Sequence, residues 1–436
     1  MDVVTLAAAK AASAPRTLSP TDGLRSWGHS YPAGVNSAGL TSITKGFAAI
    51  AAELLGLDLR NNAIGGTSLY YGINSDSAWP AILQNVSRPL SGRFNSGLGL
   101  VTSMYGINDV NKLGNTYGAL APFMMAQRVA ISRWRAGAIF EDTDASVAYG
   151  GAGVWTFFGV LTSNSGTGYR YNPTSGGTLT ITTPPDFPGG TIALGFTSRA
   201  SGNGGVVSGT VNGIVYSVDT SNNRTDSAQA FVLRIPNVPA GSAAYVFTTS
   251  AVIGVTWGVM FDYWQWEPAE ADCPLVVLVK QPKPIDYTAY GAVNPGPPTD
   301  AGVDALNQVF TDLAAEFGSR VITVDTSSID HDLTCFTAGN VHPSAKGHLV
   351  IARLVVAAVL AKLRVQQRRP VIAPRVEYGI AAPTTSYVSW AVGDQVVNTA
   401  PAEAGAAASK YVTTGWICTV AGAPGTWLPL RSLTGN

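Results

Sequence analysis

The chain has 436 residues, of which 46% are hydrophobic and 12% charged, and its 27 lysines and arginines balance 27 aspartates and glutamates. A net charge of zero provides no overall field that attracts nucleic acid or an anionic membrane, so the composition excludes nucleic acid as the main partner. The apolar content and the 48 glycines are typical of a globular chain rich in strands and turns, and its length allows about two to four domains.

The residue types that bind metals or form disulfides are sparse. Cys273, Cys335 and Cys418 are far apart and form neither a disulfide framework nor a zinc pattern. The four histidines include no H-x-x-x-H pair, so we predict no metal and no cofactor. The first residues lack the basic region and apolar core of a signal peptide, and no apolar run reaches the roughly 20 residues of a membrane span. The sequence therefore predicts a product made in the cytoplasm and not inserted into a membrane.

The first third of the chain predicts an arm followed by alternating helices and strands. Residues 1–20 are Ala-rich and then Ser/Pro-rich, which predicts an N-terminal arm that is either disordered or in contact with a partner. Apolar residues recur at helical spacing in residues 40–57, a pattern that ends at Gly56. Residues 98–104 predict a short buried strand, and residues 119–135 predict a helix with Pro122 near its first turn.

The pattern changes between residues 141 and 267, where short alternating or β-branched runs are separated by Gly, Asn, Ser and Pro. Strands at this spacing predict an inserted β-sandwich of jelly-roll type. Aromatic residues of this segment either fill its core, which we favour, or lie exposed and stack on sugar rings. They are Trp155, Phe157, Phe158, Tyr169, Tyr171, Trp257, Phe261, Tyr263, Trp264 and Trp266.

Helices and strands alternate again after the insert. Strands are predicted at 275–279 and 321–324, and helices at 303–317 and 348–363. Strands joined by helices imply a mostly parallel sheet covered on both faces. We therefore assign the chain to the α/β class, with one domain formed by residues 21–140 and 268–366 around the insert.

The last segment, residues 367–436, begins with a Pro/Arg-rich linker and predicts a small β module. Two stretches, residues 390–394 and 415–427, contain Trp390, Trp416 and Trp427 among Gly, Thr and Ala. These stretches resemble small β modules common at the ends of bacteriophage tail fibres and tailspikes. The resemblance implies a virion tail protein that contacts other tail proteins, with a homotrimer as one assembly that it allows.

Four short segments contain glycine, serine, asparagine and histidine residues in a fixed order. They are Gly28-His29-Ser30 with Gly34, Asn62 with Gly66, Gly106-Ile107-Asn108-Asp109, and His342-Pro343. A serine hydroxyl needs a base within hydrogen-bond reach and donors for the oxyanion that it creates. Together the segments resemble the consensus blocks of the SGNH (GDSL-type) hydrolases, over residues 22–137 and 270–365.

The resemblance implies an αβα sandwich and assigns a role to each of these residues. Ser30 would be the nucleophile and His342 the general base. The oxyanion donors would be the backbone N–H of Ser30, the backbone N–H of Gly66, which lacks a Cβ and so permits close approach, and the side-chain amide of Asn108. Gly65 is the competitor of Gly66, and the usual N-x-x-x-G spacing from Asn62 favours Gly66.

The sequence departs from the family pattern at two positions. His29 replaces the usual aspartate beside the serine, and Gly339 replaces the aspartate that usually orients the histidine. Two alternatives for the orienting group stay open: a backbone carbonyl near Ala338 or Gly339, and a displaced carboxylate from Asp332 or Asp330. Either would fix the tautomer of His342.

The expected function is a serine esterase on a phage tail that removes acyl groups, mainly acetyl, from host-surface polysaccharide or envelope glycolipid. The expected location is the virion, acting at the host cell surface. One alternative is a non-catalytic receptor-binding tail protein with a vestigial hydrolase domain, and a second is a bacterial lipase or lysophospholipase.

Overall fold

The computed structural model of the protein describes residues 17–18, 23–34, 46–65, 68–70, 99–159, 168–199, 202–222, 228–254, 256–290, 296–337, 339–365, 376–384 and 390–435. The chain divides into two compact units, Met1–Gln366 and Gln367–Asn436. Of the predicted N-terminal arm, only the strand Thr17–Leu18 (β1) lies within the described residues, and it pairs in parallel with Arg364–Val365 (β18).

Five short strands of the first unit form one parallel sheet. They are β2 (Leu24–Gly28), β3 (Leu59–Asn61), β4 (Leu100–Met104), β16 (Leu275–Val279) and β17 (Val321–Val324). Their order across the sheet is β17-β16-β4-β2-β3, and every neighbouring pair is parallel. The carboxyl ends of all five strands therefore open on the same edge, the usual place for ligand sites in parallel sheets.

Helices pack on both faces of this sheet. The described helices are α1 (Ser30–Ala33), α2 (Phe47–Leu55), α3 (Ile107–Leu113), α4 (Ala121–Arg135), α5 (Asp300–Phe317) and α6 (Ala345–Lys362), with 3-10 turns at Gly118–Leu120, Glu270–Asp272, Thr288–Tyr290 and Ser327–Ile329. Val276 and Leu278 of β16 share a core cluster with α4 and α5. The alternate residues Leu275 and Val277 share a second cluster with α2 and α6, since successive strand residues reach opposite faces.

The segment between the two halves of this sheet forms two antiparallel sheets. One contains β5 (Ala138–Glu141), β7 (Thr156–Gly159), β8 (Gly168–Asn172), β10 (Gly190–Ser198), β13 (Gln229–Val238) and β15 (Val259–Glu267). The other contains β6 (Val147–Gly151), β9 (Gly177–Thr182), β11 (Gly204–Val211), β12 (Ile214–Asp219) and β14 (Ala244–Ile253). A shared apolar core that includes Phe196, Val207, Phe247 and Trp264 holds the two sheets face to face as a sandwich.

A buried ionic cluster fastens the sandwich to α4. Glu267, at the end of β15, has no exposed side-chain surface and lies within salt-bridge distance of Arg135 and Arg234. Its other oxygen accepts the hydroxyl proton of Ser132 at 2.5 Å. Burial alone would raise the pKa of Glu267, but the two guanidinium groups hold it below its ordinary value. The carboxylate therefore stays charged and paired.

The second unit is a small sheet of mixed direction. It contains β19 (Val376–Gly379), β20 (Gln395–Asn398), β21 (Glu403–Ala404), β22 (Lys410–Val420) and β23 (Thr426–Gly435). Its core consists of Trp390, Val396 and Cys418, packed against Trp416 and Trp427. Among all described residues, no helix combines the length and apolar character needed to cross a membrane.

The assignment of the chain to the α/β class, as an αβα sandwich with a mostly parallel sheet, was wrong. The described residues are mostly β, with 40% in strands and 25% in helices, and most of the strand residues lie in the antiparallel sheets of the insert and in the C-terminal unit. The five parallel strands are only three to five residues long. The helices around them have a strong periodic pattern and therefore dominated the sequence-based assignment.

Candidate active site

Ser30 occupies the turn between β2 and α1. Gly28 has a φ of 149°, and a Cβ at this position would lie 2.5 Å from the carbonyl oxygen of Met104 on the neighbouring strand β4. Gly34 ends α1 with a φ of 87° and donates to the carbonyls of Ser30 and Tyr31. Both positions require glycine. The tight turn that results leaves Ser30 half-buried at the carboxyl edge of the parallel sheet.

His342 reaches the same point from a loop 312 residues further along the chain, and its Nε2 lies 2.9 Å from Ser30 Oγ. A backbone bridge between Phe336 and Pro343 closes this loop. The buried hydroxyl of Tyr31 donates to the carbonyl of Val341, which joins the serine turn directly to the histidine loop. The distance is the one expected between a nucleophile and its general base.

Asn340 holds the other side of the His342 ring. Its Oδ1 accepts the backbone N–H of His342 at 2.9 Å and lies 3.0 Å from Nδ1 of the same residue. A backbone N–H only donates, so the atom that faces it is the amide oxygen. That oxygen also accepts the proton of Nδ1, which leaves Nε2 as the acceptor facing Ser30. Asn340 thus selects the tautomer that a general base requires.

Asn340, and not Asp332, is therefore the partner of His342 Nδ1. The carboxylate of Asp332 closes its own turn, where it accepts from the backbone and hydroxyl of Thr334 and from the thiol of Cys335. The other carboxylate considered, Asp330, accepts from the backbone N–H of Lys283. Ala338, one source of the alternative backbone carbonyl, lies outside the described residues.

Burial controls the charge of the base. It lowers the pKa of the His342 imidazole below its ordinary value of 6.5, because the partly buried site solvates the imidazolium poorly. His342 is therefore neutral at pH 7 and able to accept a proton from Ser30.

His29 is fully buried and supports the turn around Ser30. Its Nδ1 accepts the backbone N–H of Tyr31 at 3.3 Å and so caps α1. Since Nδ1 accepts, Nε2 carries the proton and donates to Gln281 Oε1 at 3.0 Å. Burial is the main cause that lowers the pKa of His29 to about 3. The ring thus stays neutral, and its Nδ1 also lies 3.4 Å from Ser30 Oγ.

Of the three predicted oxyanion donors, two belong to described residues, Ser30 and Asn108. Ser30 is the first residue of α1, where backbone N–H groups lie ahead of the intrahelical hydrogen bonds. Asn108 is half-buried near the start of α3 and follows β4, the strand next to β2. Gly66 lies outside the described residues, so its predicted role stays a prediction.

Asp109 anchors the segment that follows Gly66. Its fully buried carboxylate accepts from the hydroxyl of Ser68 at 2.6 Å and from the backbone N–H groups of Leu69 and Tyr70 at 3.1 and 2.8 Å. Burial raises the pKa of Asp109 to about 6, while these three hydrogen bonds act in the opposite direction. On the other side, Ile64 donates to the carbonyl of Gly28. The chain on both sides of Gly66 is therefore held close to the Ser30 turn.

Sequence reasoning missed Asn340, Gln281 and Tyr31. Asn340 had a readable signal, because a short polar side chain two residues before a loop histidine favours a turn onto the histidine N–H. Gln281 and Tyr31 had none, since their importance comes from contacts with residues far away in the sequence. Among the described residues, no group of three or more His, Cys, Asp or Glu side chains is arranged to hold a metal ion.

Comparison with known proteins returned structural matches only. No protein-family model matches the chain, and no curated protein matches it. A two-domain esterase active on acetylated mannans, crystallised with mannopentaose, matches 62% of this chain and 96% of its own at 10% identity, with a TM-score of 0.29.

Two further matches are carbohydrate-related proteins. A family 35 carbohydrate-binding module from Cellvibrio japonicus matches 30% of this chain and 92% of its own at 13% identity, with a TM-score of 0.23. An exo-β-1,3-galactanase from Phanerochaete chrysosporium matches 29% of this chain at 19% identity, with a TM-score of 0.22, and the match spans only 28% of the galactanase. Matches at TM-scores this low assign neither a fold nor an activity to the chain.

Proposed function

We propose that this protein is a serine esterase of the SGNH type. The observation that carries the proposal is the continuous hydrogen-bonded chain from Ser30 through His342 to Asn340, with separations of 2.9 and 3.0 Å. A neutral imidazole oriented in this way accepts the serine proton as the hydroxyl attacks an acyl carbon.

The proposed reaction has two halves. In the first, Ser30 Oγ attacks the ester carbonyl, His342 Nε2 takes its proton, and the same nitrogen then returns the proton to the leaving alcohol. In the second, a water molecule gives its proton to His342 and attacks the acyl-serine, and the acid leaves as Ser30 regains its proton. The N–H groups of Ser30 and Gly66 and the amide of Asn108 stabilise the oxyanion of both tetrahedral intermediates.

The proposed substrate is an acyl ester, chiefly an O-acetyl ester, on host-surface polysaccharide or envelope glycolipid. We place the protein on a bacteriophage tail, acting at the host surface, with the C-terminal unit as its contact to other tail proteins. Support for this setting is the resemblance of residues 390–394 and 415–427 to tail-fibre modules.

Hydrolysis of p-nitrophenyl acetate tests the esterase proposal. We expect Ser30→Ala and His342→Ala each to lower kcat by about 10⁴-fold or more, the scale observed when a member of a catalytic triad is removed. Asp332→Ala serves as the matched control and retains activity, because its carboxylate does not contact His342. Equal rates for wild type and Ser30→Ala would instead favour a binding protein without catalytic activity.

A further inference from the structure

The β-sandwich insert has a surface cluster of aromatic residues that the proposed reaction does not use. Six of the ten aromatic residues noted in its sequence are buried: Trp155, Tyr169, Phe261, Tyr263, Trp264 and Trp266. Of the other four, Phe158, Tyr171 and Trp257 lie together and half-buried. The Trp257 ring centroid is 5.0 Å from that of Phe158 and 4.9 Å from that of Tyr171, both in edge-to-face geometry.

Arg199, at the end of β10, lies within this cluster. Its guanidinium carbon is 3.9 Å from the centroid of Trp257 and 5.0 Å from that of Phe158. Its Nε donates to the hydroxyl of Tyr169 at 3.3 Å. Stacking and this hydrogen bond hold the guanidinium in one orientation, so little side-chain entropy is lost when it binds a ligand.

The polar groups of the cluster have unused hydrogen-bonding capacity. Within the described part of the chain, no hydrogen bond involves the two terminal nitrogens of Arg199, the indole N–H of Trp257 or the hydroxyl of Tyr171. Other arginines of the described chain are paired with carboxylates: Arg128 with Glu316, Arg135 and Arg234 with Glu267, and Arg170 with Asp142. Among the residues that the structure describes, no carboxylate lies within salt-bridge distance of Arg199, so its oriented positive charge is available to a ligand.

We propose that Arg199 and its aromatic neighbours bind a carboxylated sugar, a uronic acid residue of a polysaccharide. The planar guanidinium matches a carboxylate through two parallel hydrogen bonds. The rings provide apolar surface for the C–H faces of a sugar, and the Trp257 and Tyr171 donors suit its hydroxyl groups. This inference deepens the proposed function, on which it rests, by naming an acidic polysaccharide as the class of substrate.

Strand register identifies a control residue on the same strand. Phe158 pairs with Tyr169, and Tyr171 lies two residues further along β8, so these side chains share one face of the sheet. Phe157 pairs with Arg170 and lies on the opposite face, although it is 44% exposed. Phe157→Ala therefore removes an exposed aromatic ring from the same strand without changing the cluster.

The test is binding of the full chain to sodium polygalacturonate and to neutral galactan, measured by titration calorimetry. We expect wild type and Phe157→Ala to bind polygalacturonate equally, and to bind galactan at least about tenfold more weakly. Arg199→Gln and Trp257→Ala should each weaken polygalacturonate binding by about tenfold or more, since each removes a hydrogen bond or stacking surface from a charged contact. Thermal unfolding checks that each variant folds. If Arg199→Gln does not fold, Arg199→Lys replaces it, because lysine keeps the positive charge but cannot form the two parallel hydrogen bonds.

Two results would overturn the inference. One is that wild type and Arg199→Gln bind polygalacturonate equally. The other is that wild type binds inorganic polyphosphate as tightly as it binds polygalacturonate. Hydrolysis of p-nitrophenyl acetate by the same proteins separates this outcome from failure of the esterase proposal. We expect wild type and the control Phe157→Ala to hydrolyse this small ester at the same rate. If wild type did not hydrolyse the ester at all, the esterase proposal would be refuted, whereas the binding result would still stand.

Discussion

At position 340 an amide oxygen faces Nδ1 of the candidate base, where serine hydrolases commonly have a carboxylate. The amide orients the ring and selects its tautomer, as a carboxylate does, but it carries no negative charge. An imidazolium formed on His342 during attack is therefore stabilised by a dipole instead of an ion pair. Burial lowers the pKa of His342, and an amide partner provides no negative charge that would raise it again.

Substitution of Asn340 tests its role as the orienting residue. We expect Asn340→Ala to lower kcat for p-nitrophenyl acetate by roughly 10- to 100-fold with little change in KM, because ring orientation affects the transition state more than substrate binding. Asn340→Asp should retain activity and raise the pKa of His342. An unchanged kcat in Asn340→Ala would show that the loop backbone alone orients the imidazole.

The dependence of activity on pH follows from the lowered pKa of His342. The imidazolium has no free electron pair at Nε2, so activity is lost as the pH falls through the pKa of this residue. We expect kcat/KM to reach half of its maximum at a pH below 6.5 in wild type, and at a higher pH in Asn340→Asp. A half-maximal pH above 7 in wild type would contradict the assignment of a buried, neutral base.

At the scale of elements, a hydrogen bond connects the turn after β2 with the end of β4. The N–H of His29 donates to the carbonyl of Met104, which joins the two strand ends. Asp109, in the first turn of α3, then fixes residues 68–70. The Gly-x-Asn-Asp segment therefore provides both a candidate oxyanion donor, Asn108, and the anchor of residues 68–70.

Asp109→Ala tests this anchoring. It leaves the Ser68 hydroxyl and two buried backbone N–H groups without their acceptor, each at a cost of about 1–3 kcal/mol. We expect kcat to fall by about 10²-fold, comparable with the loss of one oxyanion donor, while KM changes little. Asp312→Ala, which removes an exposed carboxylate that accepts from Tyr117, is the control. An unchanged kcat in Asp109→Ala would show that catalysis does not depend on the anchoring of residues 68–70.

Several elements were predictable from the sequence because their signals are local. The buried strand at 275–279 was predicted with the observed bounds, and the apolar face of residues 303–317 predicted most of α5. The start of α6 was missed by three residues because its cap, Ser344, precedes the apolar pattern. The motif spacing predicted that Ser30 and His342 lie together, as they do, whereas Asn340 was overlooked because it does not occupy the usual motif position, although its place two residues before the histidine is a local signal.

At the scale of the whole molecule, the sequence-based fold class failed because periodicity does not measure the share of residues in each structure. Long amphipathic helices have a stronger signal than the short strands of the insert, although those strands contribute more residues. Nor did the sequence show how the insert is attached. That attachment depends on Glu267, Arg135 and Arg234, which are distant in sequence and meet only in the folded chain.

Glu267→Gln tests whether the ionic cluster joins the insert to α4. Loss of the carboxylate leaves Arg234 without its counter-charge and Arg135 with only the partly exposed Glu270, so we expect the free energy of unfolding to fall by about 3–5 kcal/mol. Glu316→Gln is the matched control, because its pair with Arg128 is partly exposed and its loss costs about 0–1 kcal/mol. Urea unfolding of the two variants makes the comparison, and equal losses would show that the cluster has no special role.

Covalent labelling of the nucleophile is the most direct test of the central claim. The full chain is treated with a fluorophosphonate, which phosphonylates an activated serine, and the modified peptide is identified by mass spectrometry. We predict a single adduct on Ser30 that is absent from Ser30→Ala and forms at least about 10²-fold more slowly in His342→Ala. No adduct in wild type, an adduct on another serine, or equal labelling rates in wild type and His342→Ala would contradict the proposed esterase site.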